Sequence, residues 1–115
     1  MPRASLGLLL VFPLALGACG PSAQSVCEAS CAQSKACDLG DIDTDKDVEI
    51  CKATCDAFQL EAEQDVEQGD YTQECLDRNV DYGNCVTSLS CSDVKAADYN
   101  GKCAEERSDY ENACS

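Results

Sequence analysis

Apolar and polar residues are distributed in two unlike regimes along the 115 residues. From Leu6 to Ala18 the run LGLLLVFPLALGA carries no charge, whereas the remainder is polar, with apolar residues scattered among charges. No later segment alternates apolar and polar residues over a useful length, so strands are not expected. Helices are expected over about 24–37, 45–66, 71–90 and 102–114, with a short Ser/Asp-led segment near 92–98. Leu39-Gly40 ends the first of these and Gly69 the second. Thr44 with Asp47 three residues on has the form of a capping box, and Asp70 or Thr72 opens the third helix. Asn100-Gly101 marks the turn into the last.

The apolar run of residues 6–18 is shorter than the ~20 residues that span a bilayer, and Pro13 weakens it as a membrane helix. With Arg3 and the amino terminus as its positive start, it reads as a leader for export. It ends in Leu16-Gly17-Ala18-Cys19, which resembles a bacterial lipobox. That resemblance implies removal of residues 1–18, a diacylglyceryl thioether on Cys19 and an acylated new amino terminus. With Gly20 after the cysteine rather than Asp, it also implies retention in the outer membrane. An ordinary leader cut after Gly17, with Ala15 and Gly17 as the small residues, is the alternative. Residues 20–26 (GPSAQSV) form a polar tether with a reach of only ~15 Å, which leaves residues 27–115 as the folded domain, close to the membrane.

Cysteine usage agrees with export. Of eleven cysteines, setting Cys19 aside leaves ten, an even number, in a short chain that the cytosol would keep reduced. Cys27/Cys31 and Cys51/Cys55 are two Cys-x3-Cys pairs, each placing both thiols on one helical face ~6 Å apart. Antiparallel folding of their helices allows two unstrained bridges, Cys27–Cys55 and Cys31–Cys51. The second half repeats itself: Tyr71-x3-Cys75-x6-Tyr82-x2-Cys85 matches Tyr99-x3-Cys103-x6-Tyr110-x3-Cys114. Antiparallel stacking of these two helices gives Cys75–Cys114 and Cys85–Cys103, with thiol-to-thiol rises of ~15 and ~16.5 Å. Cys37 and Cys91 remain to join the two hairpins.

The fold expected is thus all-α: two disulfide-stapled antiparallel helical hairpins forming a small four-helix domain. It resembles the twin Cys-x3-Cys and twin Cys-x9-Cys helical hairpins of the mitochondrial intermembrane space, over residues 27–55 and 75–114 separately. A leader, 19 residues between the Cys-x3-Cys pairs and a last spacing of ten set it apart from those families. The resemblance therefore implies the hairpin and not the chaperone or assembly roles. Taken together with the lipobox, the chain is similar to small cysteine-rich bacterial lipoproteins of unassigned activity.

Charge narrows the partners. Twenty-two acidic residues face eight basic ones, and loss of Arg3 with the leader takes the net charge from −14 to −15. Repulsion from phosphate excludes nucleic acid as a partner. Without Trp and with few long aliphatic residues, a core this thin needs covalent staples.

Candidate chemistry is sparse. There is no histidine, the commonest general base, and no Cys-x2-Cys, so neither a catalytic site nor a cofactor is expected. Asp41, Asp43, Asp45 and Asp47 alternate as the oxygen ligands of a calcium loop do. Counted from Asp41, however, position six is Lys46 instead of Gly and position twelve is Lys52 instead of Glu. An exposed acidic turn complementing the following helix N-terminus accounts for the same residues. Glu61, Glu63, Asp65 and Glu67 read as a solvated helix face, and the tyrosine pairs Tyr71/Tyr82 and Tyr99/Tyr110 as packing stripes. The function expected is that of a non-catalytic envelope lipoprotein, lipid-anchored in the outer membrane at Cys19, that binds another envelope protein or builds the surface. The alternative is a calcium-binding surface protein using the acidic loop 41–49.

Overall fold

A computed structural model describes residues 20–115. Six α-helices follow one another: α1 (Ala23–Ala36), α2 (Asp45–Ala53), α3 (Cys55–Glu67), α4 (Gln73–Thr87), α5 (Cys91–Lys95) and α6 (Ala104–Cys114). A short 3-10 segment, Ala97–Gly101, lies between the last two, and there is no strand among the described residues. The fold is all-α with disulfide staples between helices.

Helix starts are set by side chains that satisfy the free N–H groups of a first turn. Ser22 and Ser25 form a capping box at α1, and Thr44 and Asp47 form one at α2. The Thr72 hydroxyl accepts from Cys75 N at 3.0 Å at the head of α4, and Ser90 caps α5. Gly69 ends α3 at φ 82°, a left-handed residue that lets Gly69 and Asp70 return their N–H groups to the last turn.

Two features depart from the sequence expectation. The helix expected over 45–66 is broken at Thr54. Its N–H turns back three residues to Cys51 O, and its hydroxyl donates to the same carbonyl at 2.8 Å. This hydroxyl-to-backbone bond competes with regular helix and lets α2 and α3 each lie against α1. The second departure follows α5. Asp98, Tyr99 and Asn100 form a left-handed turn with φ between 50° and 57°, so α6 starts at Ala104 and not near 102. Left-handed backbone costs roughly 1–2 kcal/mol per L-residue. Asp93 offsets part of it, accepting from Asn100 Nδ2 at 2.8 Å and pairing with Lys102 at 3.6 Å.

Packing places α1 against α2, α3 and α4, while α4 pairs most extensively with α6. Gln24 fastens α1 to α3: its N–H donates to Gln59 Oε1 at 2.8 Å and its side-chain amide donates to Asp56. Gln33 reaches the far end of α4, donating to Val86 O at 2.8 Å. Tyr82 on α4 stacks on Tyr110 of α6 with ring centroids 5.9 Å apart, so one member of each tyrosine stripe packs in the hairpin. The apolar cluster is small: Ala23, Ala62, Leu76 and Val80, with Val26, Val66 and Tyr71 packed against it. Of the nine buried apolar residues five are cysteines, Cys31, Cys37, Cys55, Cys75 and Cys103, so sulfur fills much of the interior that aliphatic side chains leave empty.

Where α1 meets α4, Gly83 permits the approach. A Cβ there lies 2.7 Å from Val26 Cγ1, inside any real contact distance. Glycine in mid-helix ordinarily costs ~1 kcal/mol relative to alanine, so Gly83→Ala at an open site would stabilise. At this site the β-branched Val26 strongly prefers one rotamer on its helix and yields poorly to an added methyl group. Gly83→Ala is expected to lower the stability measured by denaturant melts by about 1 kcal/mol, and Val26→Ala in the same background to recover part of that loss. A stabilised Gly83→Ala protein would contradict the packing described.

Candidate functional site

Ten cysteines occupy five bridges, and the helices hold them in register. On the α1 side, Cys27 joins Cys55 and Cys31 joins Cys51, with Cα–Cα distances of 5.7 and 5.9 Å. These two are nested: Cys27 and Cys31 stand one turn apart on α1, Cys51 and Cys55 flank the break at Thr54, and the two arms of the hairpin run in opposite directions. On the other side Cys75 joins Cys114 and Cys85 joins Cys103, at 4.8 and 5.8 Å. Cys37, at the end of α1, joins Cys91, at the start of α5, at 5.0 Å and ties the halves together. All five Cα–Cα separations lie within the range a disulfide spans without backbone movement. Cys19 lies outside the described residues.

Sulfur clustering does not here amount to a metal centre. Cys27, Cys31 and Cys55 lie together, as do Cys85, Cys103 and Glu106, but each of these sulfurs is already bonded to another sulfur. A disulfide sulfur is not the thiolate a soft metal needs.

In the acidic turn before α2, Asp47 alone turns its carboxylate to the backbone. Asp47 Oδ2 accepts from Asp43 N at 3.1 Å and Thr44 N at 3.2 Å. Asp45 pairs with Lys35 of α1 at 3.4 Å across a well-solvated surface. Asp41 and Asp43 are exposed, and none of the four belongs to a group of converging ligand atoms among the described residues. The structure thus brings Asp47 to the helix start and does not gather the four around one point. The bonds from Asp43 and Thr44 hold the Asp47 carboxyl below its ordinary value. Asp93 is likewise lowered, first by the Asn100 amide and then by the Lys102 charge.

A feature that the linear sequence does not announce lies between α1, α3 and α4. A cavity of about 190 Å³ is lined by Ala23 and Val26 of α1, by Phe58, Glu61, Ala62 and Asp65 of α3, by Leu76, Asn79, Val80 and Gly83 of α4, and by Tyr71. Its floor is the small apolar cluster itself. Phe58 stands at the edge, 48% exposed. The signal was present as two stripes of the same helical spacing, 58/61/62/65 and 76/79/80/83. Their meeting across α1 is a tertiary fact that neither stripe carries alone. Burial pushes the Tyr71 phenol up, and the fields of Asp65, Glu61 and Asp70 push it further.

Comparison of the chain with protein-family models, with curated proteins and with solved structures gives no match.

Both lowered carboxyls make acid behaviour specific. Because the folded value of Asp47 is depressed, its stabilisation is complete above the ordinary value of 3.8 and is lost as pH falls through the lowered value. Asp47→Asn is expected to melt below the unsubstituted protein at neutral pH, with the gap closing as the pH is taken below 3.8. Thermal melts across that range check it, and a gap that persists unchanged in acid would contradict the capping role. Thr44→Ala, which removes the other half of the box, is expected to cost about 1 kcal/mol at neutral pH.

Proposed function

We propose that this protein is a non-catalytic envelope lipoprotein, anchored in the outer membrane through Cys19, whose stapled helical domain binds another envelope protein or contributes to the cell surface. The observation that carries the reading is the set of five inter-helix bridges in a domain that follows directly on a lipobox-like Leu16-Gly17-Ala18-Cys19. Five bridges need an oxidising compartment, which bacteria provide outside the cytoplasm. No helix among the described residues is long and apolar enough to cross a membrane. On this reading attachment falls to the lipid, since two or more acyl chains hold a protein on a bilayer without a membrane span.

Several residues support a presenting role for the surface. Ile50, Phe58 and Leu60 stand about half exposed, and no charged or polar residue is buried among the described residues. The excess of acidic side chains keeps such a surface soluble and favours a basic over an acidic partner.

Mass analysis of the intact protein tests the anchor and the staples together. The expected mass lacks residues 1–18, carries acyl chains on Cys19 and is lower by the ten hydrogens lost on forming five bridges. Cys19→Ser is expected to abolish acylation and move the protein from the membrane to the soluble fraction. Retention of the leader, or membrane attachment that survives Cys19→Ser, would overturn the reading.

A further inference from the structure

The cavity between α1, α3 and α4 combines two properties that rarely coincide. Its walls are apolar, built from Ala23, Val26, Ala62, Leu76 and Val80, while its remaining lining includes two carboxylates, Glu61 and Asp65, and no basic residue. Neither carboxylate takes part in any of the four ion pairs among the described residues, which engage Asp45, Asp81, Asp93 and Asp98. Nor does either accept a side-chain hydrogen bond from Tyr71 or Asn79 beside it. Glu61 is exposed and Asp65 half-buried, so their unpaired negative charge stands at the solvated edge of the apolar recess.

We propose that this cavity is a binding site for a small organic cation, an apolar hydrocarbon body carrying an ammonium group. Three observations choose that chemistry over its neighbours. A bare metal ion is not served, because Glu61 and Asp65 belong to no group of three or more converging His, Cys, Asp or Glu ligands among the described residues, and the walls offer hydrocarbon rather than oxygen. An anion meets Glu61 and Asp65 with no cation to answer it. A neutral hydrocarbon fills the floor but gains nothing from the carboxylates. The ammonium group gains from both, with its body on Leu76, Val80 and Ala62 and its charge toward Glu61 and Asp65. Phe58 and Tyr71 supply aromatic rings in the same lining, the faces on which organic cations rest. At about 190 Å³ the space is below the ~300–1,000 Å³ of drug-sized sites, which limits the ligand to a fragment with one ring or a short chain.

The test uses the oxidised full-length protein and three probes of one size: 2-phenylethylammonium, 2-phenylethanol and 3-phenylpropionate. Binding is followed by NMR shifts of the Ala23, Val26, Ala62, Leu76 and Val80 methyl groups. The expected result is saturable shifts at these methyls with the ammonium probe, at a dissociation constant of about 1 mM or below. The alcohol is expected to bind several-fold more weakly, and the carboxylate at least about tenfold more weakly. Glu61→Gln with Asp65→Asn preserves shape at solvated positions and is expected to weaken the ammonium probe about tenfold. Glu105→Gln with Asp109→Asn removes the same charge from the α6 surface and separates the local from the global field. That pair is expected to change binding less than about twofold, since distant charges are screened. No saturation at about 10 mM of the ammonium probe, equal binding of the carboxylate probe, or equal weakening by the two charge pairs would each overturn the proposal.

Discussion

The cross-link between α1 and the α2–α3 arm, with its counterpart between α4 and α6, is the constraint on which the rest of the molecule depends. The first ties α1 to α2 through Cys31–Cys51 and to α3 through Cys27–Cys55, and the second ties α4 to the two ends of α6 through Cys75–Cys114 and Cys85–Cys103, so each arm is held at two points. One bridge between two helices leaves them free to swing; two bridges set their spacing, direction and register together. In the chain-entropy model each loop of 18 to 54 residues, taken alone, stabilises the fold by about 3–4.5 kcal/mol, and nested loops add less than their sum. The apolar interior is small by comparison, four buried aliphatic residues and a few half-buried ones. The bridges therefore do more than reinforce a core: their sulfurs make up much of it.

Legibility in the sequence follows from the range of the interaction involved. Local signals were readable where a single residue decides: Thr44 with Asp47, Thr72 and Gly69 mark helix ends through side-chain or backbone geometry within three residues. The antiparallel hairpins followed from cysteine spacing together with short connections, because equal rises along two helices allow two bridges and a short connection favours the antiparallel direction. Thr54 was not legible as a break. Its hydroxyl bond to Cys51 O wins over helix propensity only because α1 holds Cys51 and Cys55 on either side. The left-handed turn at Asp98–Asn100 was also hidden, since Tyr99 is a poor candidate for positive φ. It is held there by Asp93, one short helix back, and by the Cys85–Cys103 bridge, whose other end lies on α4.

The candidate sites show the same division. The acidic run at 41–47 looked alike whether its carboxylates bind a cation or cap a helix, and only the directions of the Asp47 and Asp45 side chains separate the two. Glu61 and Asp65 read as part of a solvated face, and in the fold Glu61 is exposed and Asp65 half-buried, while both also line the apolar recess where three helices meet. Tyrosine spacing was half informative: Tyr82 and Tyr110 stack between α4 and α6, while Tyr71 turns to the cavity. An acidic chain with few greasy side chains thus keeps its charge outward and lets covalent bonds set the shape, which leaves a small apolar recess unfilled. Larger residues at Ala23 and Ala62 would have closed it.

Far-ultraviolet circular dichroism of the protein before and after full reduction, with the freed thiols blocked, tests the central claim most directly. Collapse of most of the helical signal at 25 °C on reduction, with no cooperative melt remaining, is the expected result. A reduced protein that keeps its helicity and melts at the same temperature as the oxidised one would show that burial alone folds the chain and would contradict the claim.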